Sequence, residues 1–182
     1  PDMPVITEEP AWTIPAASFK NIVRQTSFIV KADEIRAIFT GLLFEVRGHE
    51  LTVVGTDSFR LTYMKGKINN IIGEDDDVII PVRALNEVAK IAEDDSDIKI
   101  YFYQNKIIFD VENVRITALR IRGEFPAYSR VIPDSYNTFF KIKKKDLIAS
   151  IERAMIFTQD RNGTPAIYFN IENDVLSIHT ES

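Results

Sequence analysis

Residues 41–61 read GLLFEVRGHELTVVGTDSFRL. Two alternating apolar runs, LLFEVRG and ELTVVGT, flank Gly48-His49. That pattern predicts a hairpin of two antiparallel strands with its turn at the glycine. TDSFRL, from Thr56 to Leu61, then places two hydroxyls, a carboxylate, an aromatic ring, a guanidinium and an aliphatic chain in six residues. FRLTYMKG reads as a third strand running on from it. A segment so mixed can be a catalytic turn, a plain turn between strands, or part of a docking surface.

Outward from this hairpin the elements fall into a regular order. Upstream, WTIP reads as a strand. AASFKNIVRQTSFIV reads as a helix with Phe19, Ile22, Val23 and Thr26 on one face and Ser18 as its N-cap. Downstream, GEDDD is expected as an acidic loop and VIIP as a short buried strand. VRALNEVAKIAE follows as a second amphipathic helix, with Ala84, Leu85, Val88 and Ile91 on its apolar face. SDIKIYFY, NKIIFDV and VRITALRI are three more strands. Residues 12–122 thus repeat strand-helix-strands twice, an α+β pattern whose short turns favour antiparallel sheets. RGEFPAYSRVIPDS, with Pro126 and Pro133, breaks the periodicity and reads as an extended connector.

FFKIKKKDLIASIERAM begins the same order again. Ile14, Phe19 and Val23 match Ile142, Leu147 and Ile151 at one offset. Phe44, Val46, Gly48, Leu51 and Val53 match Phe169, Ile171, Asn173, Leu176 and Ile178 at a slightly shorter one. A strand-helix-hairpin order kept at nearly constant offset indicates an internal repeat. On that reading the chain is a fragment with one complete repeat and the opening of another. Residues 1–11, with three prolines and three acids, look like a linker or a tail.

The 182 residues suffice for one good core plus pieces of others. With 45% hydrophobic and 27% charged residues, the composition is that of an ordinary soluble domain. No apolar run reaches the roughly 20 residues of a membrane span. No cysteine is present, which excludes disulfides, thiolate metal sites and thiol nucleophiles; a cytoplasmic location fits. A net charge of -5 argues against tight nonspecific adsorption to nucleic acid, yet leaves room for a basic stripe on one face.

Four sets of residues carry candidate chemistry. In TDSFRL, Ser58 lacks a histidine in any motif that would make it a nucleophile, since only His49 and His179 exist. Asp57-Ser58 also suits a plain turn. Basic residues recur on predicted helices: Lys20 and Arg24 at i,i+4, Arg83 and Lys90 on the second helix, and Lys143, Lys144 and Arg153 in the third unit. These form either a solvated face or a phosphate-facing one. Glu74-Asp75-Asp76-Asp77 and Glu93-Asp94-Asp95 lack EF-hand periodicity and read as solvated loops rather than a magnesium or calcium site. Gly41, Gly48, Gly55 and Gly66 are isolated, so no nucleotide cradle, ATPase activity, metal or cofactor is expected.

GLLFEVRGHELTVVGTDSFRL, VIIPVRALNEVAKI and GEFPAYSRVIP, in this order, resemble the bacterial DNA polymerase III beta subunits, the sliding clamps. The resemblance covers essentially the whole chain. It implies a DNA-clamp fold: a repeated α+β domain with two helices packed on antiparallel sheets. Residues 1–11 then look like the end of a first domain and 12–125 like the middle domain. Residues 126–135 look like a connector and 136–182 like the start of a third domain. In this family two three-domain chains close head to tail into a homodimer ring around duplex DNA, with helices lining the hole. The resemblance also implies a pocket for short peptides of the polymerase alpha subunit, the clamp loader and repair proteins. The matching pocket positions are Phe39, Thr56, Ser58, Phe59, Arg60 and Leu61, joined by Pro126, Arg130 and Val131. Phe39 and Phe59 are bulky choices within a variable pattern. The function implied is a non-catalytic processivity factor; the alternative is a peptide-binding scaffold that never encircles DNA.

Overall fold

The computed structural model describes residues 9–31, 34–71, 76–157 and 166–180. The chain divides into two compact units, Pro1–Ser129 and Arg130–Ser182.

In the first unit, β1 (Trp12–Pro15) leads directly into α1 (Ala16–Thr26). β2 (Gly41–Arg47), β3 (Glu50–Thr56) and β4 (Leu61–Lys67) form a meander, followed by β5 (Asn70–Ile71) and β6 (Asp76–Pro81). α2 (Val82–Ile91) and the meander β7 (Asp97–Tyr103), β8 (Lys106–Val111) and β9 (Val114–Leu119) complete it. All strand pairs are antiparallel, in sheets of order β4-β3-β2-β6 and β5-β1-β7-β8-β9. This is the expected α+β architecture. Gly48 takes a φ of 53° at the first hairpin, the left-handed conformation that glycine adopts without steric cost.

One apolar core joins α1, α2 and both sheets. Phe19, Ile22 and Val23 of α1 and Leu85 and Val88 of α2 meet Leu42, Phe44 and Val46 of β2 and Ile107 and Phe109 of β8. The predicted apolar face of α1 is buried in full, Thr26 included, because its hydroxyl donates to the Ile22 carbonyl at 2.8 Å. On α2 the buried positions are Val82, Leu85 and Val88; Ile91 stays 37% exposed at the helix end. Leu43, Val54 and Ile79 form a smaller cluster, covered by Ile38, Leu61, Ile121, Phe125 and Tyr128.

Four expectations need correction. Ser18 is not the N-cap: Pro15 occupies that position at φ −58°, and α1 starts at Ala16. A proline there fixes φ at the helix entry, and the Ala16 N–H donates to the Ser96 carbonyl at 2.9 Å. The α-helix also ends at Thr26, and Ser27–Ile29 continue as a single 3-10 turn. Asp76 and Asp77 lie in strand β6 rather than in a loop, opposite Val46 and Glu45 of β2. Arg47 holds Asp77 there at 2.6 and 3.0 Å, which offsets the low strand preference of aspartate. Glu74 and Asp75 lie outside the described residues, as do residues 1–8 of the expected tail.

The strand expected over VRITALRI is split. β9 ends at Leu119, and Ile121 bridges to Ile79 on the other sheet, donating its N–H to the Ile79 carbonyl at 2.9 Å.

The second unit contains α3 (Lys144–Met155) and the antiparallel hairpin β10 (Tyr168–Glu172) and β11 (Val175–His179). Phe44↔Val53 and Val46↔Leu51 in the first hairpin correspond to Phe169↔Ile178 and Ile171↔Leu176 in this one. The paired positions match those aligned by sequence. Asn173 and Asp174 take φ of 48° and 62° at the turn, where the first copy has Gly48.

Candidate functional site

TDSFRL is the turn between β3 and β4, with Thr56 and Leu61 as the last cross-strand pair. Its own polar groups hold it. Asp57 Oδ1 accepts the N–H of Phe59 at 3.1 Å and of Arg60 at 3.0 Å. Thr56 Oγ1 accepts the Ser58 N–H at 3.1 Å and donates to the Arg60 carbonyl at 2.9 Å. Arg60 Nε returns to Asp57 Oδ2 at 3.0 Å. The Arg60 N–H is the largest cause holding the Asp57 carboxyl below its usual range. Ser58 is left at a φ of 76°.

The serine is not set up as a nucleophile. Its Oγ accepts a hydrogen bond from Arg36 Nη2 at 2.7 Å, and a guanidinium cannot take a proton. His49 is engaged with the Ile68 carbonyl, and His179 stacks on Tyr168 in the second unit.

Arg36 is the residue that the sequence reading missed. It contacts Ser58 and also lies over the Phe39 ring, 4.1 Å from its centroid. Phe39 itself is buried, within the 3-10 turn Ala37–Thr40. Residues 34–36 carry no periodic pattern that would have pointed to Arg36. The apolar groups of the turn divide sharply. Phe59 is 96% exposed, while Leu61 packs on the Leu43, Val54 and Ile79 cluster. Phe28 is also exposed, and the Arg60 guanidinium lies 5.9 Å from its ring centroid.

The structure thus brings Thr56, Ser58, Phe59, Arg60 and Leu61 together, with Phe39 linked to them through Arg36. Leu61 shares its cluster with Phe125 and Tyr128 of the connector. Pro126 lines a cavity of about 730 Å³ between the connector and the β2–β6 face, with Leu43, Glu45, Ile79 and Ile121. Arg130 and Val131 are exposed and belong to the second unit.

Six of the seven basic residues lie on helices, and Lys143 precedes α3. Lys20, Arg24, Arg83 and Lys90 line a groove between α1 and α2. Lys20 Nζ pairs with Asp94 Oδ1 at 2.5 Å and donates to the Ala92 carbonyl at 3.2 Å. Lys90 pairs with Glu87 at 2.7 Å. Arg24 donates to the Asn21 amide oxygen at 2.9 Å. In the second unit, Lys143 is the N-cap of α3, Lys144 its first residue, and Arg153 donates to Ser150 Oγ at 3.0 Å. Among the described residues no group of three or more acids and histidines could hold a metal ion. No helix among them is long and apolar enough to cross a membrane.

Residues 13–127 match the family described as DNA polymerase III beta subunit, central domain. This chain belongs to the DNA polymerase III beta subunit family. It is 31% identical to the beta sliding clamp of Staphylococcus epidermidis RP62A over all of its length and 48% of that relative. The Staphylococcus aureus Mu50 beta sliding clamp is 30% identical with the same coverage. Among solved structures, the DNA polymerase III beta chain of Streptococcus pneumoniae TIGR4 superposes with a TM-score of 0.89 at 30% identity, covering 100% of this chain and 48% of that one. The Bacillus subtilis sliding clamp gives 0.81 at 27% identity, covering 99% and 51%. The fold is therefore that of a sliding-clamp domain, and the chain spans about half the length of the relatives it matches.

Proposed function

We propose that this chain is the central part of a bacterial DNA sliding clamp, a non-catalytic processivity factor of the cytoplasm. The observation that carries the reading is its similarity, along its entire length, to beta sliding clamps of two staphylococci. Residues 12–125 are the middle clamp domain, 1–11 the end of a first domain, 126–135 a connector and 136–182 the start of a third. The hairpin register shared by β2–β3 and β10–β11 supports this division.

The complete protein encloses duplex DNA as a homodimer ring, with Lys20, Arg24, Arg83, Lys90, Lys143, Lys144 and Arg153 facing the phosphates. Enclosure replaces affinity, so an acidic protein stays on DNA while its contacts remain weak enough to slide. The TDSFRL turn with Phe39 and Pro126 forms part of the site for short apolar-ended peptides of the polymerase alpha subunit, the clamp loader and repair proteins. Exposed Phe59 beside the Arg36 and Arg60 guanidinium groups supplies the apolar surface and donors that such a peptide needs.

The test loads the complete protein onto nicked circular DNA with its clamp loader and then linearises the circle. Retention on circles with rapid loss through cut ends is the expected result. Equal retention on both forms would establish ordinary binding and put a peptide-binding scaffold in place of the clamp.

A further inference from the structure

The four cations between α1 and α2 differ in whether a carboxylate opposes their charge. Lys20 and Lys90 each have a carboxylate against the ammonium, Asp94 at 2.5 Å and Glu87 at 2.7 Å. Arg24 is oriented by the neutral amide of Asn21, and Arg83 is exposed with no ion-pair partner among the described residues. A neutral acceptor orients a cation and leaves its charge available to a phosphate. A carboxylate cancels it, because the pair presents a dipole rather than a charge to anything beyond a few ångströms. Half of the positive charge on this face is therefore neutralised within the protein.

Resting on the clamp reading, we infer that Asp94 and Glu87 restrain the DNA contact of this face and keep it weak enough for sliding. Asp94 is suited to the part because it is not needed to place Lys20. The ammonium also donates to the Ala92 carbonyl at the end of α2, a helix C-terminus that favours a cation. Removing the Asp94 charge leaves Lys20 where it is and its charge uncancelled. Glu87 lies one turn before Lys90 on α2, so the Lys90 ammonium stays on the same face without it. The two carboxylates reduce the counterions released when the face meets a duplex, and hence the salt dependence of the contact.

The experiment measures binding of the 182-residue chain to a fluorescein-labelled DNA duplex by anisotropy across a low-salt series. Asp94→Asn and Glu87→Gln are compared singly and together, with Glu50→Gln as a charge-matched control on the exposed end of β3. Each helix-face variant is expected to bind about twofold to fivefold more tightly, the scale of an exposed ion pair. The double variant is expected to steepen the slope of log K against log salt by about one to two units. Glu50→Gln should change neither by a comparable amount. No gain in the double variant, or an equal gain with Glu50→Gln, overturns the inference. Retention on circular DNA is read separately. If retention holds while Asp94→Asn and Glu87→Gln bind no more tightly, the clamp stands and the restraint does not.

Discussion

The Tyr128 hydroxyl donates to the Glu45 carboxylate, which lies directly across the sheet from Asp77. Two like charges facing each other across strands repel. Here each has its own partner, Tyr128 for Glu45 and Arg47 for Asp77. The contact also fixes the segment that follows β9 onto the β2–β6 face, where Phe125 and Tyr128 cover Leu43, Val54 and Ile79.

Burial, and then the hydrogen bond to Glu45, push the Tyr128 phenol well above its ordinary pKa of 10.0. The folded protein thus keeps a proton that the unfolded chain loses above that pH. Stability from this group is complete below pH 10 and falls as the pH rises beyond it. Thermal unfolding of Tyr128→Phe should show a shallower decline above pH 10 than the parent. At neutral pH it should be less stable by about 1.5–3 kcal/mol, the scale of a hydrogen bond to a charged group. Parallel alkaline curves would show that Tyr128 is not the group responsible.

At the TDSFRL turn, Ser58→Gly removes a side chain from a left-handed residue and also the hydroxyl that Arg36 holds. Relief of the backbone strain outweighs one exposed hydrogen bond, so the variant should gain about 0.5–1 kcal/mol in urea unfolding. Asp57→Asn should lose stability instead. The lowered Asp57 pKa means that its contribution is present above the ordinary value of 3.8 and disappears as pH falls through the folded value. The gap between parent and Asp57→Asn should therefore close in acid.

Local pattern carried most of this architecture. Alternation in LLFEVRG and ELTVVGT gave the β2–β3 hairpin, and the spacing of Phe19, Ile22 and Val23 gave the buried face of α1. Features set by distant partners were illegible. Asp76 and Asp77 looked like loop because their strand state depends on β2 and Arg47, some thirty residues away. Ile121 looked like the end of β9, since its pairing with Ile79 is a matter of tertiary approach. The turn stands out as a candidate site only through its resemblance to clamps, and Arg36 was missed because its two contacts, Ser58 and Phe39, arise from an aperiodic segment.

Gly66 on β4 is closely approached by α1: a Cβ would lie 2.7 Å from Ile22 Cδ1, which would have to shift. Gly66→Ala should cost about 1–3 kcal/mol by overpacking. Ile22→Val, which deletes that methyl, should cost about 0.5–1.5 kcal/mol alone. The pair should be more stable than the sum of the two losses, and a double-mutant cycle in denaturant measures the coupling. Strict additivity would place the strain elsewhere.

Arg60→Ala combined with Leu61→Ala should weaken binding of partner peptides to the complete protein while the fold persists. Leu61 packs on the small cluster rather than the main core, so the loss of stability should be about 1–2 kcal/mol. Peptide titration by calorimetry is the measurement, with circular dichroism to verify folding. Unchanged affinity would remove this turn from the peptide site.

The crossing at Ile121 has a mechanical consequence. β9 ends at Leu119 in one sheet, and two residues later the chain is bonded to Ile79 in the other. Tension applied to the chain beyond Ile121 must therefore first strip the contacts of the 121–128 segment on the β2–β6 face. Only then does it reach β9 and begin to peel the second sheet from its edge. The segment acts as a strain relief, so a pull along the connector is absorbed on one sheet before it can unzip the other.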